Sequence, residues 1–324
     1  MNQSPLVSVI IPTYNRAKMI GDTIENVFEQ TYQNIELIVV DDGSTDDTKQ
    51  VLAGYDGRLQ WTTQPNAGAS AARNRGVEMA RGEIVAFQDS DDLWHPSKIQ
   101  RQVSLLERVG ESVVCCICNT DIVRGDVRVY TSFDNAPICP PYEEGVWTNA
   151  ADVLATRFFI FCQAVAIRRR VIEKIGGFDE RLITMHDHEM AIRLAQEGPW
   201  AFIRTLLVTQ RQGTANSISR AVIERPVLLA EENLHMWKII QERSGEDGGG
   251  PLWRETIERQ LRNAKRGLKI TRMTHGRSRA GRVVGSMASG VERIRTALGR
   301  RLPGYPKMKV QAIEPSASVR LRIC

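Results

Sequence analysis

The sequence predicts an α/β fold in which a mostly parallel central sheet is flanked by helices. Three observations lead there. Short, continuous apolar runs rich in β-branched residues recur through the first half: VSVIIP (7–12), IELIVV (35–40) and EIVAFQ (83–88). Segments with apolar residues at helical spacing lie between them. Each run is followed by a polar cluster, PTYN, DDGSTDD or DSDD, where a hairpin would show a two-residue turn signal. Runs apolar on both faces belong to strands covered on both sides, and the helices between them supply the crossovers that parallel pairing requires.

The elements follow in order. After Pro12, AKMIGDTIENVFEQ places Ile20, Ile24, Val27 and Phe28 on one helical face. Beyond IELIVV, Ser44 is the candidate N-cap and Asp47 the capping-box partner of a helix that holds Val51 and Leu52. RLQWTT, a helix over 69–80 and EIVAFQ continue the alternation. Past about residue 110 the pattern loosens. ESVVCCIC, VRVYT and FIFCQAVAI read as strands and DNAPICPPYEEG as a proline-rich loop. IEKIGGF ends a helix on a Gly-Gly stop, and DHEMAIRLAQEG reads as another helix. A long helix over 222–243 precedes the glycine-rich linker GEDGGGP (245–251). No internal repeat is present.

Composition sets bounds. A chain of 324 residues buries a full-sized core, as one large domain or two. No apolar stretch approaches the roughly 20 residues needed to cross a bilayer. The start MNQSPLVSVIIPTYNR lacks a basic region, a long apolar region and a small-residue cleavage site. The expected location is cytoplasmic, at most peripheral on the inner face of the cell membrane. Cys115, Cys116 and Cys118 lie in one apolar strand, where neighbours point to opposite faces, so reduced core thiols are expected in place of disulfides. From residue 251 onward there are 18 Lys and Arg against 4 Asp and Glu, a net of +14; with +5 overall, the first 250 residues carry −9. That split points to an acidic body and a basic tail.

In a doubly wound sheet, ligands bind at the carboxyl ends of the strands, where the polar clusters stand. Neither GxGxxG nor GxxxxGK[ST] is present, which excludes a dinucleotide fingerprint and a P-loop. The carboxylates of DSDD are hard oxygen ligands suited to Mg²⁺ or Mn²⁺, and such sites are often completed by substrate phosphates. A solvated acidic turn, with Asp92 as a helix cap, accounts for DSDD alone about equally well.

The combination is more specific. PTYN, VVDDGSTD, NAGASAARNRG, FQDSDDLWHP, GGFDERL and DHEMAIRLA occur in one order. Together they resemble the inverting family-2 glycosyltransferases, which have the GT-A fold. The resemblance spans roughly residues 5–220 and is strongest over the first hundred. It implies a catalytic domain over 1–220, with a nucleotide-binding half (5–110) and an acceptor-binding half (111–220). A helical segment (221–244), the linker and a basic, partly helical extension (252–324) follow.

The resemblance also implies roles. Pro12 and Tyr14 match the lip of the nucleotide pocket. Asp42 matches the acid on the base edge, while Asp41 ties down the loop or reaches the ribose. Arg73 matches the basic residue facing the nucleotide, with Arg75 as its competitor. Asp89 and Asp91 match the D-x-D motif, Asp91 as metal ligand and Asp89 sharing the metal or orienting the sugar diphosphate. Asp92 is a third acid, and Trp94 sets the loop by packing. Asp187 takes the position of the general base, in register with Arg193-Leu194-Ala195.

Two positions depart from the family pattern. His186 stands where a Glu precedes the base, and Gly213, in QRQGTANSIS, stands where many relatives carry a His. His186 and His188 are candidate compensating or acceptor-side residues. A zinc site over HDHE is disfavoured, because histidines spaced i, i+2 do not share a helical face.

The tail segment 252–273 mixes Leu261, Ala264, Leu268 and Ile270 with many bases. It suits either an anionic membrane surface or docking on the acidic body. Nucleic acid is not expected, because no base-stacking aromatic series accompanies the charge. The implied function is transfer of a sugar, expected from a UDP-sugar, to a saccharide or lipid-linked acceptor in surface polysaccharide synthesis, with a divalent metal as cofactor. Two alternatives differ in class. A sugar nucleotidyltransferase would need a glycine-rich loop that PTYNRAKM lacks, and a non-catalytic sugar- or nucleotide-binding protein would have no need of Asp187.

Overall fold

The computed structural model describes residues 4–135, 140–157, 159–212, 225–244, 250–277 and 308–313. The N-terminal half contains β1 (Val7–Thr13), α1 (Ile20–Phe28), β2 (Ile35–Asp41), α2 (Thr48–Ala53), β3 (Gln60–Thr63), α3 (Ala69–Met79), β4 (Ile84–Phe87), β5 (Leu93–Trp94) and α4 (Lys98–Val109). Then come β6 (Cys115–Arg124), β7 (Val127–Thr131), α5 (Ser132–Asn135), β8 (Glu144–Trp147), α6 (Ala150–Leu154), β9 (Val165–Arg168) and α7 (Arg169–Lys174). The chain continues through α8 (His186–Gln196), β10 (Trp200–Arg211), α9 (Pro226–Ser244), α10 (Gly250–Arg277) and β11 (Val310–Ala312).

The strands form one sheet in the order β11-β8-β10-β6-β9-β4-β1-β2-β3, with β5 added to β10 and β7 to β6. From β3 through β2 and β1 to β4 the pairing is parallel, as the continuous apolar runs predict. A second parallel pair joins β6 to β10. Antiparallel β9 stitches the two parts together, pairing β4 on one side and β6 on the other. Because β1, β2 and β4 point the same way, the clusters PTYN, DDGS and DSDD leave the sheet along one edge.

Both faces are covered. Ile20, Ile24 and Val27 of α1 and Ile99, Val103 and Leu106 of α4 pack on one face. Residues of α3, α6, α8, α9 and α10 pack on the other. Alternation along β6 sends Cys115 into the second layer and Cys116 and Cys118 into the first, and all three are free thiols, as expected.

Some boundaries differ from expectation. The second helix begins at Thr48 without the Ser44 cap, because the Ser44 hydroxyl accepts the Asn15 N–H at 2.8 Å; Asp46 serves the Thr48 N–H instead. FIFCQAVAI is a strand only from Val165, after a 3₁₀ turn at Cys162–Ala164. Residues 245–249 of the linker and Gly213 lie outside the described residues. In the basic extension, Trp253, Ile257, Leu261, Ala264 and Leu268 are buried in the core while Ile270 stays exposed. The apolar stripe therefore faces the protein body, the second of the two placements the sequence leaves open. No helix among the described residues is long and apolar enough to cross a membrane.

Candidate active site

The first wall of the site joins the loops after β1 and β2. Pro12 is buried opposite Val40, and Tyr14 beyond it is exposed. Asn15 is a non-glycine residue with φ of 52°, in the left-handed region that Asn tolerates better than most. There its side-chain oxygen accepts the Thr45 N–H at 2.8 Å and clasps the two loops together. Asp41 is fully buried, accepting the Ser44 N–H and, at 2.8 Å, the Thr63 hydroxyl, so of its two candidate tasks the structure shows the loop tie. Asp42 accepts the backbone N–H groups of Ala67 and Gly68 at 2.9 and 2.8 Å and the Gln64 amide at 2.9 Å. Both acids thus tie the loops together at this edge of the sheet.

The acids of DSDD have three different settings. Asp89 accepts a 2.7 Å bond from Nη2 of Arg73, whose side chain is 4 % exposed. Asp91 meets Nη2 of Arg16 at 3.3 Å. Asp92 is buried, taking the Gln163 amide at 2.8 Å and the Arg211 N–H at 2.9 Å. It anchors the turn to β10 and to the 3₁₀ turn, and neither a helix cap nor an open metal ligand describes it. Burial, reinforced by Asp89 and Asp91, pushes Asp92 well above the usual carboxylate range. Burial also raises Asp89; Arg73 opposes this, and Asp187 and Asp91 add to it. Trp94 is a packing residue: it is buried, with the Lys98 ammonium 3.7 Å from its ring centroid.

The far wall is the start of α8. Its first turn brings Asp187 to the same site, with Oδ2 accepting the Cys162 N–H at 3.3 Å and Oδ1 3.2 Å from Nε2 of His186. The same Nε2 lies 3.0 Å from Nη1 of Arg73. A continuous chain Asp89–Arg73–His186–Asp187 therefore links the D-x-D acid to the candidate base. Burial would raise Asp187, but His186 and Arg73 outweigh it and hold the carboxyl well below its ordinary range. His188 turns away: its Nε2 meets the Leu154 carbonyl at 2.7 Å, and its ring lies edge-on to Trp237. Glu189 is fully buried and bonded twice to Arg193 at 2.5 Å, which removes it from any HDHE metal set.

No convergence of three or more His, Cys, Asp or Glu side chains suited to a metal exists among the described residues. Asp89 and Asp91 nevertheless fit a cation held by one or two carboxylates and completed by substrate phosphates. Each already draws a guanidinium, Arg73 or Arg16, toward itself.

Arg16, Asn15, Cys162 and Gln163 are site residues that the sequence did not single out. Arg16 directly follows PTYN, where a cation beside the acid cluster could have been suspected. The other three act through the backbone or through distant partners and leave no local signal.

The sequence profile of glycosyl transferase family 2 matches residues 8–176. The chain belongs to glycosyl transferase family 2. This glycosyltransferase is 29% identical over 219 residues to an uncharacterized glycosyltransferase of Rickettsia typhi, covering 68% of each chain. A putative teichuronic acid biosynthesis glycosyltransferase of Bacillus subtilis, TuaG, is 43% identical over 150 residues, 45% of this chain and 58% of that one. Among solved structures, S. aureus TarS 1–349 in complex with UDP-GlcNAc superimposes with a TM-score of 0.55 at 18% identity, covering 81% of each chain. The mannosyltransferase PcManGT of Pyrobaculum calidifontis, in complex with GDP-Man and Mn²⁺, gives 0.57 at 21%, covering 92% of this chain and 81% of that one. At these identities the likeness is one of fold, and it establishes the GT-A architecture for this glycosyltransferase.

Proposed function

We propose that this glycosyltransferase is inverting and metal-dependent, moves a sugar from a UDP-sugar to a hydroxyl of a saccharide or lipid-linked acceptor, and serves surface polysaccharide synthesis. The observation that carries the reading is the chain Asp89–Arg73–His186–Asp187 at the carboxyl edge of the parallel strands, with Asp91 held nearby by Arg16. A donor would lie over Pro12 and Tyr14, with its base toward Asp42 and its phosphates toward Asp91, Arg16 and Arg73. A divalent cation held by Asp91 and Asp89 would offset the charge on the departing diphosphate. Inversion needs one carboxylate on the acceptor side to take the hydroxyl proton as the oxygen attacks, and Asp187 is that group. TuaG is named for teichuronic acid biosynthesis and TarS is known in complex with UDP and UDP-GlcNAc, which supports the polysaccharide and UDP parts of the proposal. The exposed outer row of the long C-terminal helix, including Arg259, Arg262, Lys265, Arg266 and Lys269, suits an anionic membrane surface. On this proposal the enzyme works in the cytoplasm against the inner face of the membrane.

The test is binding and turnover of UDP-, GDP- and dTDP-sugars with and without Mn²⁺. Asp91→Ala is expected to lose the metal-dependent part of donor binding. Asp187→Asn is expected to keep donor binding within about threefold while kcat falls by roughly 10²–10⁴. Full turnover in Asp187→Asn would remove the base assignment, and no binding of any nucleotide sugar would remove the donor assignment.

A further inference from the structure

His186 occupies an unusual electrostatic position. Its Nδ1 lies 3.1 Å from the Ile183 carbonyl oxygen, which can only accept, so Nδ1 carries a proton. Its Nε2 then faces a donor and an acceptor at once: Nη1 of Arg73 at 3.0 Å and Oδ1 of Asp187 at 3.2 Å. One nitrogen cannot satisfy both. With a lone pair, Nε2 accepts from Arg73 and leaves Asp187 Oδ1 with no donor. With a proton, it donates to Asp187 and turns a positive edge toward Arg73.

We propose that His186 is a positioning residue for sugar transfer, a junction whose protonation state decides whether it supports Arg73 or pairs with Asp187. Neutral His186 holds Arg73 toward Asp89 and leaves Oδ1 of Asp187 open to the acceptor hydroxyl. Protonated His186 forms an ion pair with Asp187, blocks that oxygen and weakens its basicity. Transfer is therefore favoured on the alkaline side of the His186 titration and suppressed on the acid side. The proposal rests on Asp187 being the base.

Every element around the ring bears on this balance. Arg73 from α3 opposes the imidazolium, and Asp187 on the same helix favours it. Asp89, after β4, acts through Arg73. The Phe178 ring stands edge-on with its centroid 6.2 Å away, and the Cys162 turn bears on the histidine through Asp187 and Arg73. From α9, Glu232 accepts the Ile183 and Thr184 N–H groups and so fixes the loop carrying the carbonyl partner. His188 and Glu189 are engaged elsewhere.

The first test uses no substrate. The side-chain ¹H–¹⁵N and ¹H–¹³C resonances of His186 are followed by NMR against pH in the wild type, Asp187→Asn and Arg73→Gln. The neutral form is expected as the Nδ1–H tautomer. Its midpoint should fall by about one pH unit or more in Asp187→Asn and rise comparably in Arg73→Gln. A midpoint unmoved in Asp187→Asn, or a dominant Nε2–H tautomer, would overturn the junction. The second test is the pH profile of kcat. Wild-type kcat should fall about tenfold per pH unit below the His186 midpoint, the slope of a single protonation. That acid limb should be absent in His186→Gln, and an identical limb there would overturn the proposal. Because the NMR arm reads the junction without turnover, a protein that transfers no sugar counts against Asp187 as base, while the junction is judged on the midpoints.

Discussion

Lys98 sits in an environment that its side chain disfavours. It is fully buried on α4, its ammonium has no hydrogen-bond partner, and its near neighbour is the face of Trp94. Burial pushes its pKa down to about 8 from an ordinary 10.5. Between those two values the unfolded chain binds the proton and the native protein does not, so stability rises with pH across that window. Below pH 8 the full penalty is present. Lys98→Met keeps the volume and the contact with the ring while removing the charge. It is expected to stabilise the protein at pH 7 by about 1–3 kcal/mol, with the gain shrinking toward pH 10. Urea unfolding of both proteins at pH 7 and 9.5 measures this, and a less stable methionine variant at pH 7 would refute it. The same scale shows what could be read in advance. The acids of DSDD were legible because three carboxylates behind a buried strand need a reason. Their partners Arg16, Gln163 and the Arg211 N–H were not, because they arrive from 75, 71 and 119 residues away.

At the scale of elements, α3, α8 and the turn after α7 hold one another in register. Gly177 has φ of +66°, and a Cβ there would sit 2.4 Å from Oδ1 of Asn74. That oxygen accepts the Phe178 N–H at 2.8 Å, and Arg193 donates to the Gly177 carbonyl at 2.7 Å. Gly177→Ala combines a strained backbone with a clash at that bond. It is expected to cost roughly 1–3 kcal/mol and, on the proposed base role of Asp187, to lower kcat by displacing it. Thermal unfolding and kcat check both effects, and an unchanged melting temperature would contradict the account. The Gly-Gly stop was legible as a helix end because glycine is the residue that reaches positive φ without strain. The strands of the first half were legible for a similarly local reason, since continuous apolar runs have few other uses. Antiparallel β9 was not, because a short apolar run does not say which way its neighbours point. The Ser44 cap was misread because its hydroxyl had a competing partner 29 residues upstream.

Over the whole molecule, one sheet spans both halves of the chain, and its outer edge at β8 is covered by β11. Gly145 in β8 shows how close that cover lies, since a Cβ there would sit 3.1 Å from the Gln311 carbonyl and 2.6 Å from the Phe202 ring. Removing residues 308–324 leaves the β11-facing backbone groups of β8 unpaired and Val146 and Trp147 less protected. The truncated protein is expected to melt lower and to scatter light on warming, as unpaired edges invite association. Equal melting and scattering would show that β11 has no such role. The charge split, −9 before residue 251 and +14 after it, was legible from composition, as was the possibility of docking on the body. The helical spacing of Trp253, Ile257, Leu261, Ala264 and Leu268 marks the docking face of the C-terminal helix, but what that face packs on is set by distant parts of the chain.

The pairing of β8 with β11 also carries a consequence for biogenesis. Thr148 and Lys309 meet across the sheet edge though 161 residues apart in sequence. On the ribosome, the parallel strands of the first half and helix α8 emerge and can fold well before the strand that seals their sheet is translated. Until β11 is translated, the nascent chain carries these elements together with an open edge, and a chaperone that shields strand edges would find its substrate in that interval.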